Sequence, residues 1–250
     1  MLNVTPGIVM RVVLDRPEVR NAFNDELIAQ LTEVFSSVPA ETRAVVLSGE
    51  GKTFCAGGDL EWMRAAAQYS EDENYRDALK LANLFQAIAT CPALVIAKVH
   101  GAAFGGGCGL VAASDVAVCS DDCRFSFSEV KLGLLPGTIS QLVIPKIGAG
   151  HARALFATGE VFGAEKALRI GLVHEVGTVA NLDGLVSEKL QQVLASGPLA
   201  VAASKRIVLD SPISSEESAR RLAQARASDE GKEGVAAFLE KRKANFVVEP

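Results

Sequence analysis

The sequence has little of what several functional classes require. Lys and Arg number 25 against 30 Asp and Glu, a formal net charge of −5, so no positive excess indicates binding to nucleic acid. No apolar run reaches the length of a membrane span, because Lys98, His100 and Asp115 interrupt the longest runs, and no signal-peptide pattern opens the chain. We therefore expect a cytoplasmic protein without nucleic-acid or membrane partners.

Cysteine and histidine are also scarce. The five cysteines are odd in number and lack zinc-finger spacing, which is typical of reduced, buried thiols in an intracellular protein. None of the three histidines is placed to activate a nucleophile, and no metal-ligand cluster is visible. We expect no metal. Although Cys55 and Cys108 lie in glycine-rich segments, we expect both to serve as small packing residues.

The residues that are present predict an α/β protein, since apolar strand-like runs alternate with helical patterns. No linker or low-complexity segment divides the chain. A polar stretch at 70–74 reads as a mobile turn. The pattern predicts strands at 8–14, 44–48, 93–99, 115–119, 125–128 and 172–176. It predicts helices from Asn24 as N-cap, at 59–67, 76–89, 106–113, 141–147, 151–157 and 164–170, and throughout the chain after Leu182.

Two glycine-rich segments carry the strongest functional signal: FCAGGDL at 54–60 and HGAAFGGGCG at 100–109. Each follows a predicted strand and leads into a predicted helix. Glycine lets the backbone approach a ligand closely, and the first turn of a helix has N–H groups without partners. One N–H from each segment, directed at the same oxygen, forms an oxyanion hole for a thioester or ester carbonyl.

These segments, together with FSEV at 127–130, GLLPG at 133–137 and AFLEKRKANF at 237–246, resemble the crotonase superfamily, typified by enoyl-CoA hydratase. The resemblance extends from about Leu14 to Phe246. It implies a spiral core of ββα units over residues 1–190, followed by a helical region, 191–250, that joins subunits into trimers or hexamers. It also implies an acyl-CoA thioester as substrate and no cofactor beyond the CoA that the substrate carries.

The resemblance assigns roles to individual residues of the reaction site. The N–H groups of Gly58 and Gly106 match the oxyanion hole, and Glu129 matches the second catalytic glutamate. Apolar neighbours, expected to be Phe125, Phe127, Leu132 and Leu135, would raise the pKa of Glu129 into the range of a general acid or base. Gly137 matches a residue whose N–H helps to hold the reacting water.

The sequence departs from the family pattern at Gly109, where well-known hydratases carry their first catalytic glutamate. Three reactions remain open. Glu129 alone directs water onto a 2-enoyl-CoA, which we favour; or it moves one proton in the isomerisation of a 3-enoyl-CoA to a 2-enoyl-CoA; or the oxyanion hole stabilises an enolate formed by decarboxylation. A CoA-ester-binding protein with vestigial activity is the alternative outside these reactions.

The resemblance also indicates the residues around CoA. It places Arg16, Arg20 and Ala22 in the turn after the first strand and adds the backbone at Ala56. Asp59 and Leu60 would line the entrance to this CoA site. From a neighbouring subunit, Phe238 and Lys241 would reach the CoA, the lysine as a point charge for phosphate.

Finer similarity favours a single-glutamate hydratase branch associated with branched glutaconyl-type CoA esters. A second carboxylate on such a substrate would need a cation, and the candidates are Arg64, Lys98, His100 and Lys131. We expect Trp62 and Met63 to form a wall of the acyl or pantetheine site.

Overall fold

The computed structural model describes residues 1–248, which form two β-sheets and ten α-helices. The strands are β1 (Leu2–Thr5), β2 (Val9–Leu14), β3 (Ala44–Gly49), β4 (Leu94–Val99), β5 (Ala102–Phe104), β6 (Val116–Ser120), β7 (Arg124–Ser126), β8 (Val161–Gly163) and β9 (Glu175–Gly177). The α-helices are α1 (Asp25–Ser36), α2 (Leu60–Ala66), α3 (Glu71–Thr90), α4 (Gly106–Ala113), α5 (Gly137–Thr158), α6 (Ala164–Arg169), α7 (Leu182–Leu194), α8 (Pro198–Leu209), α9 (Ser215–Ala227) and α10 (Asp229–Leu239). Short 3₁₀ turns cover Pro17–Val19, Ser128–Leu132 and Val179–Asn181.

The larger sheet has the order β1-β2-β3-β4-β6-β9, with all neighbours parallel except β1 and β2. Its central strands are continuous apolar runs because both faces are covered. Val45 and Leu47 point into the main core, which includes residues of α1, α3, α4 and α5. Ala44 and Val46 point to the opposite face, which α7 covers.

The smaller sheet has the order β5-β7-β8 and carries the second glycine-rich segment. Phe125 on β7 stacks on Phe162 of β8, with ring centroids 5.7 Å apart, and Phe127 packs against Phe156 of α5 at 5.0 Å. This aromatic cluster fixes the backbone directly before Glu129, so the sheet positions the candidate catalytic carboxylate.

Several predicted elements are confirmed. The side chain of Asn24 accepts a hydrogen bond from the N–H of Leu27 and caps α1, as expected, and α4 covers the predicted residues. The two helices predicted around residue 148 form one run that is interrupted at Gly148, whose φ is 78°. From Leu182 onwards the described chain is mainly helical, with one 3₁₀ turn just before it.

Other predictions were wrong. Residues 70–74 do not form a mobile turn: Ser70 and Glu73 make a capping box, so α3 begins at Glu71 rather than at residue 76. The strand predicted at 172–176 lies later, at Glu175–Gly177, because 172–174 belong to the turn after Gly171. The three-residue strands β5 and β8 were not predicted, and β1 was also missed.

Candidate active site

The two glycine-rich segments lie side by side. Cys55 and Ala103 form a parallel bridge, and the N–H of Phe104 donates to the carbonyl of Cys55 at 3.0 Å. Gly57 has a φ of 93°, and a Cβ there would stand 3.0 Å from the carbonyl oxygen of Phe104 and 3.9 Å from the N of Gly106. Glycine is therefore required at 57, both for its backbone angle and for the close approach of the second segment.

Two backbone N–H groups are left without an acceptor where these segments meet. Gly58 directly precedes Asp59, the N-cap of α2, and Gly106 is the first residue of α4, whose N-cap Gly105 offers no side chain. No hydrogen bond within residues 1–248 is donated by the N–H of Gly58 or Gly106. Both groups are free to bind the oxygen of a ligand, which is the arrangement that an oxyanion hole needs.

The walls around these two N–H groups are apolar. A Cβ on Gly58 would lie 3.0 Å from the Sδ of Met63 and 3.3 Å from the Cζ3 of Trp62, and a Cβ on Gly106 would lie 2.8 Å from the Cε2 of Phe23. Trp62 and Met63 therefore form a wall beside Gly58, and their role towards the acyl chain or pantetheine stays a prediction.

Glu129 sits in the 3₁₀ turn Ser128–Leu132, beside the N-terminus of α4. Its Oε1 lies 3.3 Å from the position that a Cβ would take on Gly105. Its Oε2 is buried and has no hydrogen-bond partner among residues 1–248, and no ion pair joins it to Lys131. Burial raises the pKa of Glu129, as expected of a carboxyl group that exchanges protons with a substrate.

The source of this burial differs in part from the prediction. Phe125 and Phe127 are fully buried, whereas Leu132 and Leu135 are largely exposed. The carboxylate of Glu129 lies against the glycine-rich backbone at Gly105. The two leucines present apolar surface to solvent instead.

At residue 109 the space for a side chain is already filled. A Cβ on Gly109 would lie 2.5 Å from the Cγ2 of Ile139 and 2.6 Å from the Cζ of Phe85, and both side chains are buried. A second carboxylate therefore has no room at this position. The departure from the family pattern extends beyond one residue to the packing around it.

Gly137 begins α5, but its N–H already donates to the carbonyl of Leu135 at 2.8 Å. In this structure the group predicted to hold water is engaged within the chain. Its role in water binding stays a prediction.

The predicted CoA turn is built around a side chain that sequence reasoning did not single out. The amide of Asn21 is fully buried and donates to the carbonyls of Glu50 and Thr53, while its oxygen accepts from the N–H of Arg16. Asn21 has a φ of 56°, a conformation that asparagine adopts more readily than most residues. An asparagine shortly after the first predicted strand and Pro17 is therefore a sequence signal for a tight turn at this place.

This turn brings together most of the residues assigned to CoA. The guanidinium of Arg16 donates to the carbonyl of Ala22 at 2.7 Å and pairs with Asp59 at 3.0 Å, and the N–H of Ala56 donates to the carbonyl of Arg20. The exposed Leu60 follows Asp59. Arg16 thus connects the turn to the N-cap of α2, and its positive charge is paired with the carboxylate of Asp59.

The ion pair and the cap also set the protonation of Asp59. Burial alone would raise its pKa, but hydrogen bonds from the N–H of Glu61 and from Arg16 outweigh this effect and lower the pKa. The carboxylate is therefore charged throughout the neutral range.

The two C-terminal residues assigned to CoA lie at the end of α10 and just after it. Phe238 is 82% exposed at the end of α10, and Lys241 follows in a left-handed conformation with a φ of 54°. No hydrogen bond of the described residues joins either one to the turn at 16–22.

The cysteines are all free and buried. Burial raises the pKa of Cys55 to about 12, and it also raises the pKa of Cys108, whose thiol donates to the carbonyl of Ala103. Neither forms a thiolate at neutral pH, so both pack as predicted and neither is a nucleophile.

The four candidate cations for a second substrate carboxylate differ in their surroundings. Lys98 pairs with Asp183 at 2.9 Å, and the ring of His100 is hydrogen-bonded to the carbonyl of Gly51 at 3.0 Å. Arg64 and Lys131 are exposed. These two have the greater freedom to meet a ligand.

Comparison with known proteins identifies relatives of this fold. The family model described as Enoyl-CoA hydratase/isomerase matches residues 5–248. A protein named Crotonyl-CoA hydratase from Syntrophomonas wolfei is 33% identical over 94% of this chain and 92% of its own length. The crystal structure of an enoyl-CoA hydratase from Shewanella pealeana is 36% identical, with a TM-score of 0.92 over 98% of this chain and 95% of that one. Pseudomonas aeruginosa AtuE is 35% identical, with a TM-score of 0.95 over 99% of both chains.

The fold and the paired glycine segments thus define a crotonase-fold protein. The chain belongs to the enoyl-CoA hydratase/isomerase family within the crotonase superfamily.

Among its described residues, no helix combines the length and the apolar character needed to cross a membrane.

Proposed function

We propose that the protein adds water across the double bond of a 2-enoyl-CoA thioester, with Glu129 as its one catalytic carboxylate. The observation that carries this proposal is the buried Oε2 of Glu129, which has no partner within residues 1–248 and belongs to a side chain next to Gly105. A buried acceptor left without a partner is costly unless a ligand supplies one. The proton of a bound water or of the substrate is that partner.

In the proposed reaction the N–H groups of Gly58 and Gly106 bind the thioester oxygen. Glu129 takes a proton from water as the water oxygen bonds to C3, and the electron pair of the double bond moves towards the carbonyl to form an enolate. The two N–H groups stabilise this developing charge. Glu129 then returns the proton to C2, so one carboxylate completes the reaction and no co-reactant beyond water is required.

For CoA we propose the turn containing Arg16, Arg20 and Ala22, the backbone at Ala56, and the entrance formed by Asp59 and Leu60. Phe238 and Lys241 would act across a subunit boundary in a trimer or hexamer. Within residues 1–248 no hydrogen bond joins them to the turn, and Phe238 is 82% exposed, which supports a role outside their own subunit. The cytoplasmic location and the lack of a separate cofactor stay predictions.

A second candidate is the isomerisation of a 3-enoyl-CoA to a 2-enoyl-CoA. Two features favour it: apolar packing leaves no room for a second carboxylate at Gly109, and the N–H of Gly137 is engaged with the carbonyl of Leu135. Isomerisation needs only one base, which removes a proton from C2 and delivers it to C4.

Mass spectrometry of reactions in H₂¹⁸O and in D₂O separates the candidates. A panel of 2-enoyl- and 3-enoyl-CoA esters, including branched and carboxylated members, is incubated with the protein. Incorporation of ¹⁸O into a 3-hydroxyacyl product supports hydration. Deuterium uptake with a moved double bond and no ¹⁸O supports isomerisation instead. Loss of CO₂ from a carboxylated ester, or CoA-ester binding without turnover, overturns both.

A further inference from the structure

The C-terminal end of α4 is held by a lysine from another helix. The Nζ of Lys146, on α5, donates to the carbonyl oxygens of Val111 and Ala112 at 3.3 Å and of Ser114 at 2.6 Å. The last carbonyls of a helix have no partner within it and carry its partial negative charge. An ammonium group at this place satisfies both needs at once.

The opposite end of the same short helix is Gly106, whose N–H belongs to the proposed oxyanion hole. Eight residues at 1.5 Å each put the two ends about 12 Å apart. The sequence of α4, GGCGLVAA, contains no Asp, Glu, Lys or Arg, so the charge at its C-terminal end comes from outside the helix. Lys146 takes no part in the proposed proton transfers.

We infer that Lys146 is a positioning residue for the oxyanion hole. Its ammonium group fixes the C-terminal end of α4 and neutralises the negative end of the helix dipole, which leaves the positive end at Gly106 to act on the thioester oxygen. This inference rests on the proposed role of Gly106 in binding that oxygen.

The charged groups around Lys146 leave a net positive charge when it is protonated. Asp115 accepts from the N–H of Val95 and pairs with Lys205 of α8 at 2.6 Å, while its charge also acts on Lys146 without an ion pair between the two. His174, before β9, also faces this region; burial and the charge of Lys146 lower its pKa, and its Nδ1 accepts from the N–H of Ala117. Beyond it, Lys189 of α7 pairs with Glu175, so these two charges cancel.

The charge of Lys146 is lost in an accessible pH range. Burial lowers its pKa to about 8, against the opposing effect of Asp115. As pH rises through 8, the lysine becomes neutral and the proposed support for the oxyanion is lost. Over the same pH range, the free energy of unfolding is expected to change in the direction opposite to kcat. The unfolded chain, with a lysine pKa of about 10.4, holds the proton over the interval in which the folded chain has released it, so the free energy of unfolding increases with pH there.

The test compares wild type with Lys146→Arg, which keeps its charge at every pH used, between pH 6.5 and 9.5. Two readouts are followed: kcat on the best enoyl-CoA, and the red shift of a chromophoric arylacryloyl-CoA, whose absorption moves when its carbonyl is polarised. We expect the wild-type kcat to fall roughly fivefold above pH 8. The ammonium group and the thioester oxygen each lie about one hydrogen-bond length beyond an end of α4, so they are about 18 Å apart, and fivefold is the effect of one charge at that distance at an effective dielectric constant of about 20. We expect Lys146→Arg to lose little.

Lys146→Met keeps the test decisive if arginine does not fit. It is expected to be about fivefold slower than wild type at pH 7 and to show no further loss up to pH 9.5, because no charge remains to be lost. Lys166→Arg, the same exchange on α6, serves as control and should follow the wild-type profile.

Two different failures are distinguishable. If the protein converts enoyl-CoA esters but both Lys146 variants share the alkaline loss of wild type, the inference about Lys146 is wrong and the proposed function stands. If the arylacryloyl-CoA binds without a red shift and no ester is converted, the proposed function fails and Lys146 has no oxyanion hole to support.

Discussion

Ile139 occupies the space that a side chain at Gly109 would need. Its Cγ2 lies 2.5 Å from the Cβ position of residue 109, and the ring of Phe85 closes the same space from α3. Restoring the family glutamate by Gly109→Glu should therefore not restore a second catalytic group. It should reduce the free energy of unfolding by at least about 3 kcal/mol, because it overpacks the core and buries a carboxyl group without a partner.

Urea unfolding measures this loss, and Gly150→Glu is the matched control. Gly150 lies on α5, is exposed, and has no heavy atom within 4 Å of its Cβ position. Its substitution should cost little. Wild-type stability in Gly109→Glu, or a gain in hydration rate, would show that the packing around Ile139 yields and that our account of this site is wrong.

Glu129→Gln should reduce kcat by about 10²–10⁴-fold and leave the affinity for CoA esters nearly unchanged, because the amide cannot take up a proton. The exposed Glu165 on α6 provides the control exchange, Glu165→Gln, which should leave both quantities unchanged. Steady-state kinetics and calorimetric titration of a product ester give the two values. Full activity in Glu129→Gln would remove this residue from the mechanism.

The same variant carries a pH prediction for stability. Burial raises the pKa of Glu129, so the folded protein holds this proton more tightly than the unfolded chain does. The sign follows from linkage: wild type loses stability as pH rises from the unfolded pKa, about 4.3, through the raised folded value. The stability of Glu129→Gln relative to wild type should therefore be greater at pH 7 than at pH 4, as thermal unfolding at the two pH values would show.

Sequence reasoning succeeded where the determinants are local. The two glycine segments, the helix at 106–113 and the cap at Asn24 depend on residues within a few positions of one another. The capping box of Ser70 and Glu73 is equally local: its S-x-x-E spacing indicates the start of a helix, although the polar composition of the stretch is typical of a turn.

Other features could not be predicted because they join distant parts of the chain. The strand β8 has three residues and exists through its pairing with β7, more than thirty positions earlier. The filled space at Gly109 depends on side chains from two other helices, and the carboxylate of Glu129 lies against the glycine-rich backbone at Gly105. Tertiary contacts of this kind leave no periodic pattern.

Asp59→Asn isolates the buried ion pair with Arg16, since asparagine caps a helix as well as aspartate does. The two side chains are 13% and 11% exposed, so removing one charge leaves the other largely desolvated. We expect a loss of about 3 kcal/mol in the free energy of unfolding. In Asp183→Asn, which breaks the pair of Lys98 with an 85% exposed carboxylate, the loss should be below about 1 kcal/mol.

The pKa of Asp59 adds a pH signature to this comparison. Because the folded pKa is lowered, the contribution of the ion pair is fully present above the unfolded value, about 3.9, and is lost as pH falls through the folded value. The stability difference between wild type and Asp59→Asn should therefore shrink below pH 4 in urea unfolding experiments. An undiminished difference at pH 3 would contradict the lowered pKa.

Gly106→Ala tests the oxyanion hole by changing the contact between residue 106 and Phe23. The new Cβ would lie 2.8 Å from the Cε2 of Phe23, so the start of α4 must move and its N–H must leave the thioester oxygen. We expect kcat to fall at least tenfold, towards the roughly 10²–10³-fold cost of losing one donor. Phe23→Leu in the same chain should recover part of the rate by making space. Gly163→Ala, with nothing within 4 Å of its Cβ position, should keep wild-type kinetics. If the double variant is no faster than Gly106→Ala, displacement by Phe23 is not the cause of the loss.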